Sequence, residues 1–279
     1  GSEALVARAR VNALRAQADH PGLATRTRFV ARNLFEITPE ALADAVFLPS
    51  RQGALQDEML AAARSRGAWA VPLPPALAAL CDEIAAGHPV VLLQNLGLAI
   101  APRWHYAVAV GFDLDQQRLV LRSGLVEREL MDLQLFERTW ARGGHWAFVA
   151  LPPSTLPATA REDDAAQAAI AFERSAPPAQ ALAAYSSVLR RWPRNLLALL
   201  GQGNAQAALG DAGAAAAAFE RAAQTHDSAA AWHNLAVMRL RLNDRVGAAR
   251  AAQRALARAQ TSEPAWLERA QRLTASLGV

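Results

Sequence analysis

Apolar and polar positions change period several times along the first half of the chain, and each change predicts an element. Ala4, Leu5, Ala7, Val11, Leu14 and Ala18 fall near one helical stripe, which predicts a helix over 3–18 closed by His20-Pro21-Gly22. A second helix opens at Thr38-Pro39-Glu40, where Thr38 can cap free amides, Pro39 suits the first helical position, and Leu42, Ala45 and Val46 face inward. After a turn at Arg51-Gln52-Gly53, helices over about 54–65 and 75–86 flank a short strand at Ala68–Leu73. Pro89–Asn95 is the clearest buried strand. The histidine-led run His105–Phe112 is the next, and the polar turn Asp113–Gln117 leads from it into Arg118–Gly124, predicting a hairpin over 105–123. A helix over about 132–141 and a strand at His145–Ala150 complete this part. Helices followed by antiparallel strands predict an α+β fold with helices packed on a sheet.

Leu151-Pro152-Pro153-Ser154-Thr155-Leu156-Pro157 interrupts the pattern, because three prolines in seven residues can continue neither kind of element. Beyond it, strand-like segments stop and the sequence repeats with a period near 34, as stacked helical hairpins do. In the clearest unit Gly203, Gly210, Ala215, Phe219 and Ala222 occupy the places where a helix pair must be small, turn, or pack a ring. The following unit supplies Trp232, Leu235, Ala248 and Ala255, and the preceding one Ala181, Tyr185 and Pro193. This pattern resembles the tetratricopeptide repeat over residues 162–279, with 263–277 as a capping helix. The domains expected are therefore 1–37, a helix and an irregular segment; 38–153, α+β; 154–161, a linker; and 162–279, a repeat domain.

A hydrophobic content of 52% supplies a core, and the net charge of +4 is carried almost wholly by arginines scattered beside acids along helices. That distribution points away from nucleic acid. One cysteine allows no internal disulfide, and no run of about 18 apolar residues exists to span a membrane. Gly1-Ser2 has the form of an expression scar, which leaves room for an export signal or a lipid anchor on the natural precursor. His88, His105 and His145 lack the spacing of a zinc site, so neither metal nor other cofactor is expected.

The candidate chemistry lies in blocks that occur in a fixed order: Thr38-Pro39-Glu40-Ala41-Leu42, Leu48-Pro49-Ser50-Arg51-Gln52-Gly53-Ala54-Leu55-Gln56, Gly87–Leu98, Trp104–Asp113 and Phe136–Gly144. Residues 38–153 resemble through them the papain-like cysteine peptidases that process double-glycine bacteriocin leaders, in the exported bacterial branch carrying tetratricopeptide repeats. The fold implied is papain-like helices packed on an antiparallel sheet, followed by an all-α tetratricopeptide-repeat solenoid. The resemblance implies that His105 is the general base and that Ser123 stands at the position of the family's orienting acid. It also implies a bacterial periplasmic or envelope location, with the cytoplasm left open. Upstream, the family's Gln and Cys-Gly-Pro are missing, since Arg28–Ile37 runs directly into Thr38. Without a thiolate no covalent intermediate forms. Cys81, in a helical apolar pattern, belongs to the core.

Three functions are weighed. The first is a catalytically inactive peptidase-like protein that binds a peptide or protein partner through its cleft, where Gln94, Asn95 and Trp104 would join His105, and through the repeats, where Asn204, Gln206, His233, Asn234 and Arg239 would face the groove. The second is an active leader-processing cysteine peptidase whose nucleophile segment is missing from this chain around Asn33–Thr38. The third is a hydrolase using Ser123 or Ser50. Oligomeric state is not set by any of these patterns.

Overall fold

The computed structural model describes residues 56–124 and 126–279. The helices expected before residue 50, Ser50 and the turn at 51–53 lie outside the described residues. Between Asp164 and Ala165 the chain divides into two compact units.

The first unit runs α1 (Gln56–Ser65), β1 (Trp69–Pro72), α2 (Leu77–Ala85), β2 (Val90–Asn95), β3 (Trp104–Asp113), β4 (Arg118–Ser123), β5 (Val126–Asp132), α3 (Leu133–Arg142) and β6 (Ala147–Leu151). The strands form one sheet in the order β1-β6-β2-β3-β4-β5, with every neighbouring pair antiparallel. β2 is buried at all six positions, which explains its unbroken Val90-Val91-Leu92-Leu93 run: both faces of the strand are covered, so alternation disappears. On one face Leu60 of α1 packs with Val91, Phe148 and Ala150. On the other, Gln94 Nε2 donates to Thr139 Oγ1 of α3 at 2.7 Å and lies 3.5 Å from the Met131 sulfur of β5. β5 is three strands away, about 14 Å across a flat sheet, so the β5 edge must curl over the α3 face for that contact to form.

β5 is an element that the sequence pattern does not announce. Val126-Glu127-Arg128-Glu129-Leu130-Met131-Asp132 carries charges on both faces because it is the sheet's edge, where exposed charged residues discourage further pairing. Its last residue then starts α3, with Asp132 Oδ1 accepting from the amides of Gln134 and Leu135.

The proline-rich segment after β6 is tied down on this unit. Glu83 of α2 is fully buried and accepts from Thr159 N at 2.7 Å, Thr159 Oγ1 at 2.6 Å, Ala158 N at 3.2 Å and His88 Nδ1 at 2.7 Å. Burial pushes the carboxyl up, but the hydrogen bonds from His88 and Thr159, with the nearby imidazole, hold it below its ordinary 4.5. The segment expected as a linker is thus anchored at residues 158–159 by a carboxylate some 75 positions upstream in the chain.

The second unit consists of helices: α4 (Glu162–Glu173), α5 (Pro178–Arg191), α6 (Leu196–Ala208), α7 (Ala212–His226), α8 (Ala229–Arg241), α9 (Arg245–Thr261), a 3₁₀ turn (Pro264–Trp266) and α10 (Leu267–Leu277). The first helices of successive pairs start at 162, 196 and 229, steps of 34 and 33 residues, and the second helices at 178, 212 and 245 keep the same steps. The turns repeat in backbone as well. Gly210 and Asn243 both take positive φ, 84° and 62°, at the tip between helices, and Asp211 and Asp244 then cap α7 and α9 through Ala214 N and Gly247 N. Asn is the residue besides glycine that visits this region most readily, which is why the second tip needs no glycine.

Packing explains the other glycines. A Cβ on Gly201 would stand 2.1 Å from the Tyr185 ring, and one on Gly203 would stand 2.5 Å from the Phe219 ring, so each aromatic lies directly on a bare backbone. Phe219 in turn joins Leu235, Ala236, Met238 and Ala251 in one buried cluster.

These contacts set the outcome of three substitutions. Glu83→Gln is expected to destabilise the protein by about 3 kcal/mol in urea unfolding at pH 7, since it strands buried donors. Folding lowers this carboxyl's pKa, so its stabilisation is complete above about 4.5 and is lost as pH falls toward the folded value. The parent protein should therefore lose stability on acidification below that point more steeply than the Gln variant, and parallel acid limbs would contradict the assignment. Among glycines, Gly203→Ala should cost about 1–3 kcal/mol despite better helix propensity, because the Phe219 ring must move. Gly213 is helical and exposed with its nearest outside atom at 3.6 Å, so Gly213→Ala should stabilise by about 0.5–1 kcal/mol, both read as shifts in thermal midpoint.

Candidate functional site

The register of three neighbouring strands builds the site. Gln94 of β2 pairs directly with His105 of β3, and Ala109 of β3 with Leu121 of β4. Side chains alternate along a strand, so Gln94, His105, Ala109, Leu121 and Ser123 share one face, with Ser123 diagonal to His105. The imidazole closes that diagonal: His105 Nε2 and Ser123 Oγ are 2.8 Å apart, a hydrogen bond whose direction follows the ring tautomer. Both residues are half-buried. The bond engages Nε2 and fixes the ring.

The residues expected around His105 divide by face. Gln94 is buried and its amide is spent on Thr139, so its role in this structure is to seat α3 on β2. Asn95 is also buried. Its Oδ1 accepts from Gly97 N and Arg103 N, both at 2.9 Å, while its backbone carbonyl accepts from Arg142 Nε and Nη2 at 3.1 and 3.0 Å. Trp104 pairs with Asn95 and is 59% exposed, on the sheet face opposite to that of His105. Neither Trp104 nor Asn95 is therefore brought to the His105–Ser123 pair.

Asn95 instead holds a loop whose importance the apolar pattern concealed. Leu96–Arg103 returns on itself through Leu96 N to Arg103 O at 2.9 Å and Ala101 N to Leu98 O at 3.1 Å. Gly97 is required there, since a Cβ would stand 2.3 Å from the Ala101 carbonyl. The only sequence signal was an apolar run punctuated by Gly97 and Pro102.

Cys81 lies on α2 and is buried, its thiol pushed up to about 12 by desolvation first and the neighbouring Asp82 charge second. Such a thiol is neutral at ordinary pH and a poor nucleophile. Among the described residues no three His, Cys, Asp or Glu side chains are placed to hold a metal ion, and no helix is long and apolar enough to cross a membrane.

In the helical unit the five expected groove residues do not form a single surface. Asn204 is exposed on α6, whereas Gln206, two positions and about 200° further round, is half-buried with its Oε1 enclosed and without a hydrogen-bond partner. Arg239, 33 positions beyond Gln206, donates through Nη2 to Glu220 Oε1 of α7 at 2.8 Å and lies 3.9 Å from Asp244. It braces neighbouring helix pairs. His233 of α8 sits 5.5 Å from the Trp266 ring, and burial first, then Arg269, depress its pKa. Asn234, beside it, is half-buried.

An α+β unit with a strand-borne His–Ser pair, followed by paired helices in register, is the class this geometry defines. No protein-family model and no curated protein matches the chain. Among solved structures, the tetratricopeptide-repeat domain of Sgt2 from Aspergillus fumigatus is similar at 22% identity and a TM-score of 0.35, over 40% of this chain and 77% of that one. The helix-pair architecture described above rests on this chain's own period and contacts.

Asn95→Ala is expected to cost about 2 kcal/mol, the result of leaving the Gly97 and Arg103 amides without their acceptor. Hydrogen exchange should rise at those two amides while the centre of β2 stays protected. Unchanged exchange across 96–103 would show that the side chain does not hold the loop.

Proposed function

We infer that this chain is a binding protein: a peptidase-like α+β part that has lost its nucleophile, joined to a helical-repeat part that takes a peptide or protein partner. The parts are assigned as 38–153 and 162–279, with 154–161 between them and 1–37 ahead. The observation that carries the inert reading is the environment of the two reactive groups. The single thiol, Cys81, is buried and held neutral, while the imidazole of His105 is bonded to a hydroxyl at the place where the resembled family has its orienting acid. A serine there can orient the ring, but it cannot stabilise an imidazolium as a carboxylate does. Binding needs no such charge, and stacked helix pairs offer extended surfaces suited to it. A periplasmic or envelope setting belongs to the same reading.

The 2.8 Å bond also supports a second reading, in which Ser123 is itself a nucleophile and His105 its base. Among the described residues no hydrogen bond orients the other ring nitrogen, and the nearby Gln94 amide is turned to Thr139 and away from an oxyanion role.

Incubating the full chain with double-glycine leader peptides and with a fluorophosphonate probe separates these readings. Neither cleavage nor labelling is expected, and His105→Ala should leave partner affinity within about tenfold, ~1.4 kcal/mol. A probe adduct on Ser123 that disappears in Ser123→Ala would establish the dyad instead, and leader cleavage abolished by His105→Ala would overturn the inert reading.

A further inference from the structure

Among the described residues eleven large apolar side chains are exposed, and four of them lie within nine positions of one loop: Leu96 at 46%, Leu98 at 66%, Ile100 at 92% and Trp104 at 59%. Val126, 51% exposed, begins β5 at the same end of the antiparallel sheet. An exposure of 92% means that Ile100 projects from the surface with almost no neighbours. The loop is not loose chain. It is closed by its own backbone bonds, needs glycine at 97, and hangs from the buried Asn95 side chain, while Arg142 grips the Asn95 backbone carbonyl. Buried hydrogen bonds are thus used to hold apolar side chains up in water, an arrangement that makes sense where an apolar medium receives them.

Charge identifies that medium. From Ile84 to Phe112 the chain contains no aspartate or glutamate. Arg103 lies in the loop, and Arg122 at the end of β4 and Arg142 at the end of α3 add positive charge at this end of the sheet. On the same elements β5 brings Glu127 and Glu129 with Arg128 between them, Asp132 ends β5 at the opposite end of the sheet where Asp113 ends β3, and Glu137 of α3 is paired with His145 at 2.8 Å. A second protein would require a broad interface of roughly 800 Å² from each partner, which one narrow finger does not provide. Insertion to the depth of the acyl boundary requires only a few apolar side chains, a tryptophan at headgroup level and cations for anionic lipid.

We propose that the 96–104 loop is a membrane-surface finger that inserts Leu98 and Ile100 into an anionic lipid layer, with Trp104 and Arg103 at the headgroups. The site is separate from the His105–Ser123 pair, which lies on the opposite sheet face from Trp104. The finger therefore does not depend on whether the chain binds peptides or cleaves them.

The test is cosedimentation of the full chain with vesicles of phosphatidylglycerol and phosphatidylcholine, alongside vesicles of phosphatidylcholine alone. Binding is expected to the anionic vesicles, weakened at least tenfold in the Leu98→Ser/Ile100→Ser variant and reduced several-fold by Arg103→Gln or by 0.5 M salt. Both serine positions are exposed, so circular dichroism and thermal midpoint should match the parent. Absence of binding to anionic vesicles, or equal binding by the double variant, would overturn the proposal. So would concentration-dependent self-association in analytical ultracentrifugation that the double variant abolishes, because the finger would then serve a second copy of the chain.

Discussion

The first unit is organised by the burial of one strand end. β2 is covered on both faces, yet its last two residues are amides, and a buried amide without partners costs several times what a satisfied one contributes. Gln94 and Asn95 must each find partners, and where they find them fixes everything around the candidate site. Gln94 reaches Thr139 and so seats α3 on the sheet. Asn95 gathers Gly97 and Arg103 and so shapes the loop that precedes β3. Because that loop delivers the chain to Trp104, it also sets the register that pairs Gln94 with His105. The position of the imidazole is thus a consequence of satisfying two amides.

The same strand end separates the chemistry into two faces. Alternation sends His105 toward Ser123 and the α3 side, and Trp104 to the other side with Asn95 and Tyr106. A histidine and a tryptophan adjacent in sequence are often read as parts of one cleft. On a strand, adjacency is the surest way to keep them apart, so the aromatic belongs with the exposed apolar loop and the imidazole with the hydroxyl.

What the sequence made legible follows from these constraints. β2 could be placed because a strand covered on both faces leaves an unbroken apolar run, β3 and β4 because two apolar stretches flank a polar turn, and the helix pairs because small and ring positions recur at a fixed step. β5 escaped because this edge strand, unlike β1 at the other edge, is charged on both faces and so resembles a loop. His105 and Ser123 were both singled out, but their contact depends on a diagonal across the β3–β4 register, which no local pattern encodes. The sequence pattern of Gln94 and Asn95 suits a cleft lining equally well, since a polar residue ending an apolar strand looks the same whether its amide faces water or the interior. The anchoring of Thr159 by Glu83 was beyond reach for a simpler reason. In Asp82-Glu83 nothing local says which carboxylate turns inward, and the partner lies 76 residues away.

In the helical unit, architecture and recognition draw on different positions. The period is maintained by backbone and small residues: positive φ at Gly210 and Asn243, capping by Asp211 and Asp244, and bare glycine beneath Tyr185 and Phe219. The tip and its cap recur in the last two helix pairs, and the ring position recurs from Tyr185 to Phe219, 34 residues on, with both glycines lying on α6 between the two rings. Beyond the caps, polar side chains at equivalent positions differ. Gln206 and Arg239 stand 33 positions apart at equivalent places, yet one carries an enclosed, unbonded carbonyl and the other an ion pair to the preceding helix. Helix pairs that are alike in backbone are thereby made unlike in surface. Any partner that this unit selects is distinguished at the varying positions, while the repeating ones only determine that a surface is there to vary.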